Sequence, residues 1–507
     1  MTRTVFVYKT VFVTNAVRLM EHRLKEILMA VTAAAAATEV QPYRWRWVAL
    51  FVILAAEVMD LLDALVTTIA APTIRQELGG SESLVQWLSA GYTLAMAVGL
   101  ITGGRLGDLY GRKRMFLIGA SGFTLASLLC GLAVSPEMLI ASRVLQGLFG
   151  AVLIPQGLGL IKEMFPPQEL GKAFGLFGPV MAIGSVGGPV LAGWLVDADL
   201  FGTGWRMIFL INLPLGLAAV LAAARFLPEF RLSNATRLDL PGVALVSAAA
   251  FLLIFPLIQG REEGWPAWTF VSMAAAVVVF ALFGRYESRR ARSGRDPLVT
   301  PSLFRKRAFT GGLLAGLSFF AGLTGFGLVF SLYTQMGLGF TPLEAGLAAL
   351  PQALGGVVGF GVAMAGLQER LGRGLMQIGT VVMAAGAAVL ALTIHLTSLD
   401  VTTWQLAPGL ALVGIGMGMT MAPFFDIVLA GVEPHESGSA SGTLTGVQQL
   451  GGAFGTAVLG TLFFNLLASE WGFGSSMQVT VWVEVGLLAL TFALSYLLPR
   501  HARPQQH

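Results

Sequence analysis

The stretch Trp47–Pro72 reads WVALFVILAAEVMDLLDALVTTIAAP. Its length and apolar composition predict a helix that crosses a bilayer, which takes about 20 residues. It nevertheless contains three acids, Glu57, Asp60 and Asp63. A charged side chain at the bilayer centre costs roughly 2.5–3.5 kcal/mol on insertion scales. We therefore expect these carboxyls to face a watery or protein-lined interior, to carry protons, or both.

The composition is that of a multi-pass membrane protein. Of the 507 residues, 55% are hydrophobic and only 12% are charged, whereas soluble domains carry about 25% charged residues. The mean hydropathy is +0.75. The single cysteine, Cys130, excludes a disulfide within one chain. The net charge of +4 is small, so the sequence predicts no nucleic-acid partner.

Apolar segments of spanning length recur along the chain and predict an all-α membrane protein with 14 transmembrane helices. These segments cover residues 47–71, 84–104, 114–134, 138–161, 172–196, 206–227, 240–259, 267–284, 308–333, 344–366, 374–396, 404–429, 440–467 and 478–498.

The distribution of basic residues predicts that both termini are cytoplasmic, in a plasma (inner) membrane. With that orientation, 28 of the 32 Lys and Arg residues lie in cytoplasmic segments, the side that basic residues favour. The exceptions are Arg75, Arg206 and Arg261 outside, and Arg143 within the fourth span. A missed or extra helix would invert the later loops and remove this asymmetry.

A weak internal repeat predicts two six-helix bundles, helices 1–6 and 9–14, with two inserted helices between them. The loops GGRLGDLYGRKRM (Gly103–Met115) and GLQERLGRG (Gly366–Gly374) both follow a Gly-rich helix and both hold a Gly-Arg pair. Duplicated halves with a midplane site are a known transporter arrangement. The expected parts are a cytoplasmic extension (1–44), an N-terminal bundle (45–228), the inserted helices with a cytoplasmic linker (229–300), a C-terminal bundle (301–499) and a cytoplasmic tail (500–507).

The role of residues 1–44 stays open at this level. The charges fall between two apolar patches, which is not the layout of a signal peptide. An interfacial helix fits the amphipathic pattern, and so does a poorly ordered tail, or a start at Met29.

Arg143 is the only Lys or Arg residue that lies more than three residues inside a predicted span. The rise of a helix places it at the depth of Asp60 and Asp63, with Glu57 nearer to mid-membrane. Because a lone buried charge is costly, we predict that Arg143 contacts one of the two aspartates. Neighbouring acids also compete for ionisation, so one of them can hold a proton near neutral pH. The alternative is a set of structural carboxyls satisfied by hydroxyl or backbone partners.

The loop Gly103–Met115 places Asp108 among several basic residues, and we expect Asp108 at the start of the third helix. A carboxylate near a helix N-terminus gains about 0.3–1 kcal/mol, and pairing with Arg adds to it. Such a cluster can hold one face of a transporter closed and release it when the bundles rock. Plain cytoplasmic positive charge is the alternative, although that would require neither Asp108 nor the glycines.

Three features of the second half are weaker candidates. Asp426 lies near the cytoplasmic end of the twelfth span and is a candidate proton or cation contact, although a solvated helix end fits its position better. Glu484 and His395 are predicted to be peripheral. The run Met417–Met421 could contribute to an adaptable apolar pocket, or to packing alone.

Taken together, the motifs resemble those of the major facilitator superfamily, and specifically its fourteen-helix drug/proton antiporter branch. The resemblance covers about residues 45–500. The motifs that carry it are LLDALVTTIAAPTI with Asp63, GGRLGDLYGRKR with Gly104, Asp108, Gly111 and Arg112, RVLQGLFGA with Arg143 and Gly147, GSVGGPVLAG with Gly184, Gly188, Pro189 and Gly193, and the stretches Trp205–Gly216 and Ser439–Gly455.

The resemblance implies a multidrug or metabolite exporter that exchanges protons for substrate by alternating access. Protons and a cationic substrate would bind at Glu57, Asp60 and Asp63, tuned by Arg143, with Asp426 as a further candidate. Gating would fall to Gly104, Arg105, Asp108, Gly111 and Arg112. The small residues Gly184, Gly188 and Gly193, with Pro189, allow close helix approach, and the resemblance implies a helix specialised for exchange and against leak.

Rival functions remain at this level. A proton-coupled or facilitative importer could share the fold, and a non-transporting membrane sensor or a membrane enzyme is a second alternative. The sequence lacks GxxxxGK[ST], HExxH and GxSxG, so we expect no ATP-driven transport and no enzyme activity. The expected partners are a small amphipathic substrate, protons and the lipid bilayer around a monomer, with no cofactor and no metal.

Overall fold

The computed structural model describes residues 43–230, 238–397, 399–433 and 436–501. Within these ranges the chain is helical and contains no β-strand. Most of the expected cytoplasmic extension (residues 1–42) and most of the expected tail (residues 502–507) lie outside the described residues.

Long helices follow one another through the described ranges, and we number them in chain order. They are α1 (Arg46–Leu78), α2 (Ser83–Tyr110), α3 (Arg112–Gly131), α4 (Pro136–Met164), α5 (Pro167–Asp197), α6 (Gly204–Phe226), α7 (Leu240–Gln259), α8 (Ala267–Arg292), α9 (Arg307–Gly337), α10 (Pro342–Leu371), α11 (Arg373–Thr397), α12 (Thr403–Leu429), α13 (Ser437–Ala468) and α14 (Gly472–Ser495).

Among the described helices, twelve are long and apolar enough to cross a membrane, and the chain is a multi-pass membrane protein. The other two are α1, which carries three carboxyls in its apolar part, and α5, whose described apolar section is Ile183–Asp197. The expected number of fourteen spans therefore stays a prediction.

The helix boundary at Gly111 differs from the sequence-based expectation. Helix α2 continues to Tyr110 and α3 begins at Arg112, so only Gly111, with φ +101°, interrupts the helical path. Glycine adopts such a positive φ readily. The expected position of Asp108 at the start of α3 is wrong, because Asp108 lies in the last turn of α2. It is stabilised there by Arg112, four residues on, at 2.8 Å, and not by a helix N-terminus.

The buried acids sit at a junction of several helices. Helix α1 packs against α4, α5 and α6, and α2 packs against α4 and α13. In the last third of the chain, α9 packs against α13 and α14, and α11 against α12 and α14. Helices α7 and α8, which we expect to be the inserted pair, pack on each other, with α7 also against α2 and α13.

The first six and last six helices meet mainly at the helix ends remote from Gly111. The Ser331 hydroxyl donates to the Thr68 carbonyl at 2.9 Å, and the Gln335 amide donates to the Ile69 carbonyl at 2.8 Å. Close by in depth, the Leu343 N–H donates to Asp197 Oδ2 at 3.0 Å. These hydrogen bonds hold that end of the helix assembly together.

Candidate functional site

A buried ion pair joins α1 to α4. The Arg143 guanidinium donates to Asp63 Oδ2, and its Nε donates to the Leu88 carbonyl at 3.1 Å. Arg143 is 1% exposed and Asp63 is 2% exposed. The predicted contact between Arg143 and one of the two aspartates is therefore present, and Asp63 is the partner.

Two amides complete the coordination of Asp63. Gln146 Nε2 and Asn212 Nδ2 each donate to Asp63 Oδ1 at 2.8 Å. Gln146 Nε2 also lies 2.8 Å from Ser127 Oγ, which brings α3 into the cluster. Both carboxylate oxygens of Asp63 therefore accept hydrogen bonds, and one of them faces a guanidinium.

Local sequence explains how these side chains converge. Arg143 and Gln146 are three residues apart on α4, so both project from one face. The start of that helix is set by Pro136 in its first turn and by Ser135, whose Oγ accepts from the Met138 N–H at 3.3 Å. Sequence reasoning did not assign Gln146 a role. Its signal was available in that i,i+3 spacing from Arg143, an arginine well inside a predicted span.

Asn212 and Ser127 were also missed, for a different reason. Asn212 lies within the stretch Trp205–Gly216, which the resemblance had already marked without indicating a role for any single residue. Its approach to Asp63 depends on how α6 packs against α1, which no local pattern encodes. Ser127 is one of many hydroxyl residues in the spans, so only the tertiary structure singles it out.

Asp60 lies one turn before Asp63 and has a different partner. The Tyr92 hydroxyl donates to Asp60 Oδ1. The Arg143 guanidinium carbon lies 4.3 Å from the centroid of the Tyr92 ring, a cation–π geometry. Tyr92 therefore contacts both Arg143 and Asp60.

Glu57 is buried with the least support of the three acids. No described residue donates a hydrogen bond to its carboxyl. A Cβ at position 157 would lie 3.0 Å from Glu57 Oε1, so Gly157 of α4 leaves the room that this side chain occupies. Along α1, hydrogen-bond and charge support thus falls from Asp63 to Asp60 to Glu57.

The expected gating residues form a cluster around Gly111. Arg112 pairs with Asp108 at 2.8 Å and, through Nε, with Glu163 Oε1 of α4 at 2.9 Å. Burial raises the pKa of the Asp108 carboxyl, whereas the charges of Arg112 and Arg105 oppose that rise. The cluster therefore ties α2 and α3 to the end of α4.

Arg105 binds a partner that sequence reasoning did not anticipate. Its guanidinium donates to the carbonyl of Pro297 and, at 3.3 Å, to that of Leu298. The next residue of this linker, Val299, donates its N–H to Glu287 of α8 at 3.0 Å. The cluster at Gly111 is thus connected to α8 through backbone atoms of residues 297–299, which carry no sequence signature. Gly104 lies beside it in ordinary contact with Pro155.

The small residues of α5 lie at close helix approaches. A Cβ at Gly184 would lie 3.1 Å from Leu61, and one at Gly188 would lie 2.9 Å from Leu65. Toward the other end, a Cβ at Gly193 would overlap α10 at Leu343. The backbone of Pro189 faces α10 in the same way, against Gly346. This face of α5 therefore contacts α1 and α10 too closely to admit larger residues.

The remaining candidates lie elsewhere. Asp426 is exposed and accepts a hydrogen bond from Gln368, apart from the acids of α1. His395 is exposed near the end of α11. Glu484, expected to be peripheral, is completely buried, and neither carboxyl oxygen has a hydrogen-bond partner among the described residues. The described residues contain no group of His, Cys, Asp and Glu arranged to hold a metal ion.

Sequence comparisons identify the family to which the chain is similar. The model of the Major Facilitator Superfamily matches residues 47–456. The chain is 53% identical to a probable actinorhodin transporter of Streptomyces coelicolor, over 85% of this chain and 74% of that protein. It is 35% identical to a puromycin resistance protein of Streptomyces alboniger, over 89% of each. It is also 35% identical to a tetracenomycin C resistance and export protein of Streptomyces glaucescens, over 82% of this chain and 76% of that protein.

Solved structures share the fold. A POT family transporter in complex with 5-aminolevulinic acid matches with a TM-score of 0.65 and 15% identity, over 90% of this chain and 97% of that one. A D-xylose–proton symporter matches with a TM-score of 0.62 and 15% identity, over 90% and 98%. At this identity the likeness is one of fold alone.

Proposed function

Because this chain belongs to the major facilitator superfamily, we propose that it is a secondary active drug exporter that exchanges protons for its substrate. The observation that carries the proposal is the buried ion pair of Arg143 and Asp63, continued along α1 by two acids with progressively fewer partners. An ion gradient is then the energy source, with each elementary charge worth about 2.3 kcal/mol per 100 mV.

In this proposal, all fourteen long helices cross the plasma membrane, with both termini cytoplasmic and the protein monomeric. Residues 45–228 and 301–499 are the two six-helix bundles, and residues 229–300 hold the inserted helices and linker. The asymmetry of basic residues supports this orientation. The close fit of α5 between α1 and α10 supports a membrane-spanning role for α1 and α5 as well.

The three acids divide the work of exchange. Asp63, with both oxygens hydrogen-bonded, keeps Arg143 as its ion-pair partner. Asp60 and Glu57 take up and release protons, and a cationic group of the substrate competes for the same carboxyls. Tyr92 transmits the change, because its hydroxyl bonds Asp60 while its ring contacts Arg143. Substrate and proton then exclude one another electrostatically, as antiport requires.

Alternating access links this site to the cluster at Gly111. In the proposed orientation, the hydrogen bonds of Thr68, Ile69 and Asp197 close the outer end. The cytoplasmic end is held through the linker, by Arg105 and the pairs of Arg112. Both sets are present in this conformation, and rocking of the bundles breaks the set at the end that opens. The glycines of α5 let that helix move against its neighbours without large side chains in the way.

The substrate class follows from relatives and composition. The relatives named above are associated with actinorhodin, puromycin and tetracenomycin C. For this chain we infer a small amphipathic antibiotic or metabolite. The 33 Phe and 19 Met residues supply adaptable apolar surface for such a molecule.

Transport in everted membrane vesicles tests the proposal. With an imposed pH gradient, acid inside, the parent protein accumulates at least one of actinorhodin, puromycin and tetracenomycin C in the lumen. Asp63→Asn abolishes this accumulation, because the amide cannot ionise. The matched control is Asp400→Asn, an exposed aspartate in the loop after α11, which transports like the parent. Undiminished transport by Asp63→Asn would overturn the site assignment, and uptake in the opposite direction would indicate an importer.

A further inference from the structure

Glu484 is a buried acid to which the proposed exchange site assigns no role. It lies in the middle of α14, 12 residues from Gly472, so about 18 Å of helix separates it from that end. Glu484 is 0% exposed, and neither Oε1 nor Oε2 has a hydrogen-bond partner among the described residues. An ionised carboxylate in such a place would be strongly disfavoured.

The helices packed around Glu484 offer no charge to balance it. It faces α9, where a Cβ at Gly322 would lie 3.7 Å from its Cγ. The charged or titratable residues of α9 and α11 stand near the helix ends. They are Arg307 and Tyr333 on α9, and Arg373 and His395 on α11. Neither α13 nor the rest of α14 contains an acidic, basic, Tyr or Cys residue.

The neighbouring hydroxyls on α14 favour a proton on Glu484. Thr480 lies one turn before it on the same buried face, and its Oγ1 donates to the Ser476 carbonyl at 2.8 Å. Thr491, further along that face, donates to the Leu487 carbonyl at 2.9 Å. Each hydroxyl already donates its only hydrogen to a backbone carbonyl, so it can accept a hydrogen bond but cannot donate one to a carboxylate.

We propose that Glu484 is a second proton-binding site, located in the second half of the exporter and occupied by a proton in this conformation. The proton leaves when rearrangement of α14 against α9 and α11 opens the site to water, and it returns when the helices close. The inference rests on the proposed proton exchange. It adds a proton carried apart from the acids of α1, so the number of protons per substrate would depend on both halves.

The placement of Glu484 supports this assignment. By the repeat of helices 1–6 in helices 9–14, α14 corresponds to α6, α9 to α1 and α11 to α3. In the first half, that three-helix junction holds Asp63, Asn212 and Ser127. In the second half, the equivalent junction holds an acid without an arginine or an amide, which is a site suited to a neutral carboxyl.

Chemical labelling tests the protonation state. Dicyclohexylcarbodiimide adds to protonated carboxyls in apolar surroundings and leaves a stable acylurea. In the full-length protein in membranes, we expect the adduct on the peptide that contains Glu484 at pH 7, declining as the pH rises. It is absent in Glu484→Gln and unchanged in Glu369→Gln, a control at an exposed glutamate. Absence of the adduct from Glu484 in the parent protein would overturn the proposal.

Proton counting tests participation in transport. In proteoliposomes loaded with a pH-sensitive dye, we expect Glu484→Gln to move fewer protons per actinorhodin molecule than the parent, with an altered pH dependence. An unchanged ratio and pH profile would mean that Glu484 is only structural. If Glu484→Gln fails to fold, labelling of the parent decides. If the parent exports none of the antibiotics, the proposed function fails, and the adduct still decides whether Glu484 holds a proton.

Discussion

Asp63 in α1 and Glu484 in α14 are both carboxyls buried in the middle of long apolar helices, yet their surroundings are opposite. Asp63 accepts hydrogen bonds from Arg143, Gln146 and Asn212. Glu484 accepts none from the described residues. The two residues are equally buried, since Asp63 is 2% exposed and Glu484 is 0% exposed. What differs is the supply of donors from neighbouring helices.

The difference shows that burial does not by itself decide the charge of an acid in a membrane protein. A buried charge with a well-placed partner is tolerated, whereas a buried carboxyl without one is far more stable when neutral. The first half of this molecule therefore holds a fixed ion pair beside acids that can be neutral. The second half, in our proposal, holds a neutral acid that has no charged partner among the described residues.

The largest expected effect comes from removing the cation of the first half. Arg143→Met leaves the Asp63 carboxylate buried without its counter-charge, so the protein should lose about 3–5 kcal/mol of stability. Thermal unfolding in detergent measures this. The double variant Arg143→Met, Asp63→Leu removes both charges and should recover most of the loss. If the single variant is as stable as the parent, the ion pair does not hold these helices together.

Weakening the amides of the same cluster should have an intermediate effect. Asn212→Leu removes one donor to Asp63 Oδ1 and should lower stability by about 1–3 kcal/mol, since an acceptor is left partly unpaired. Gln146→Leu should act similarly through the same oxygen. Chemical denaturation compares the two variants with the parent. The double variant Asn212→Leu, Gln146→Leu should lose a different amount of stability from the sum of the two single losses, because effects within one network are not additive. A loss equal to that sum would contradict a shared role at one oxygen.

The acid of the second half should respond in the opposite direction. Glu484→Leu replaces an unpartnered polar group by an apolar one, so stability should rise by about 1 kcal/mol. The same thermal unfolding assay measures this change. A drop of several kcal/mol would mean that Glu484 is ionised and has a partner, and the contrast with Asp63 would be lost.

The smallest effect is expected at Asp426. Its side chain is exposed and bonds only Gln368 among the described residues, so Asp426→Asn should change stability by less than about 0.5 kcal/mol. Export driven by the pH gradient should also persist, measured in the vesicle assay beside Asp63→Asn. Loss of export in Asp426→Asn would bring a second-half carboxylate into the exchange site.

Much about this protein could be predicted from the linear sequence alone. The apolar segments established a multi-pass helical membrane protein, because hydrocarbon excludes any unpaired backbone and so requires helices of a set length. The depth argument placed Arg143 beside an aspartate, because helical rise converts residue number into position along the membrane normal. The motifs indicated the superfamily, which the match over residues 47–456 confirms.

Other features depended on how helices face one another across long sequence distances. Periodicity cannot tell which side of α6 meets α1, so Asn212 was invisible as a partner of Asp63. Helix α2 continues up to Gly111, so Asp108 lies in its last turn and not at the start of α3 as expected. Glu484 was expected at the periphery, because hydropathy cannot distinguish a helix face turned to lipid from one turned to protein. The sequence determines how deep a residue lies along the membrane normal. The direction in which its side chain faces is determined only by the packing of the helices.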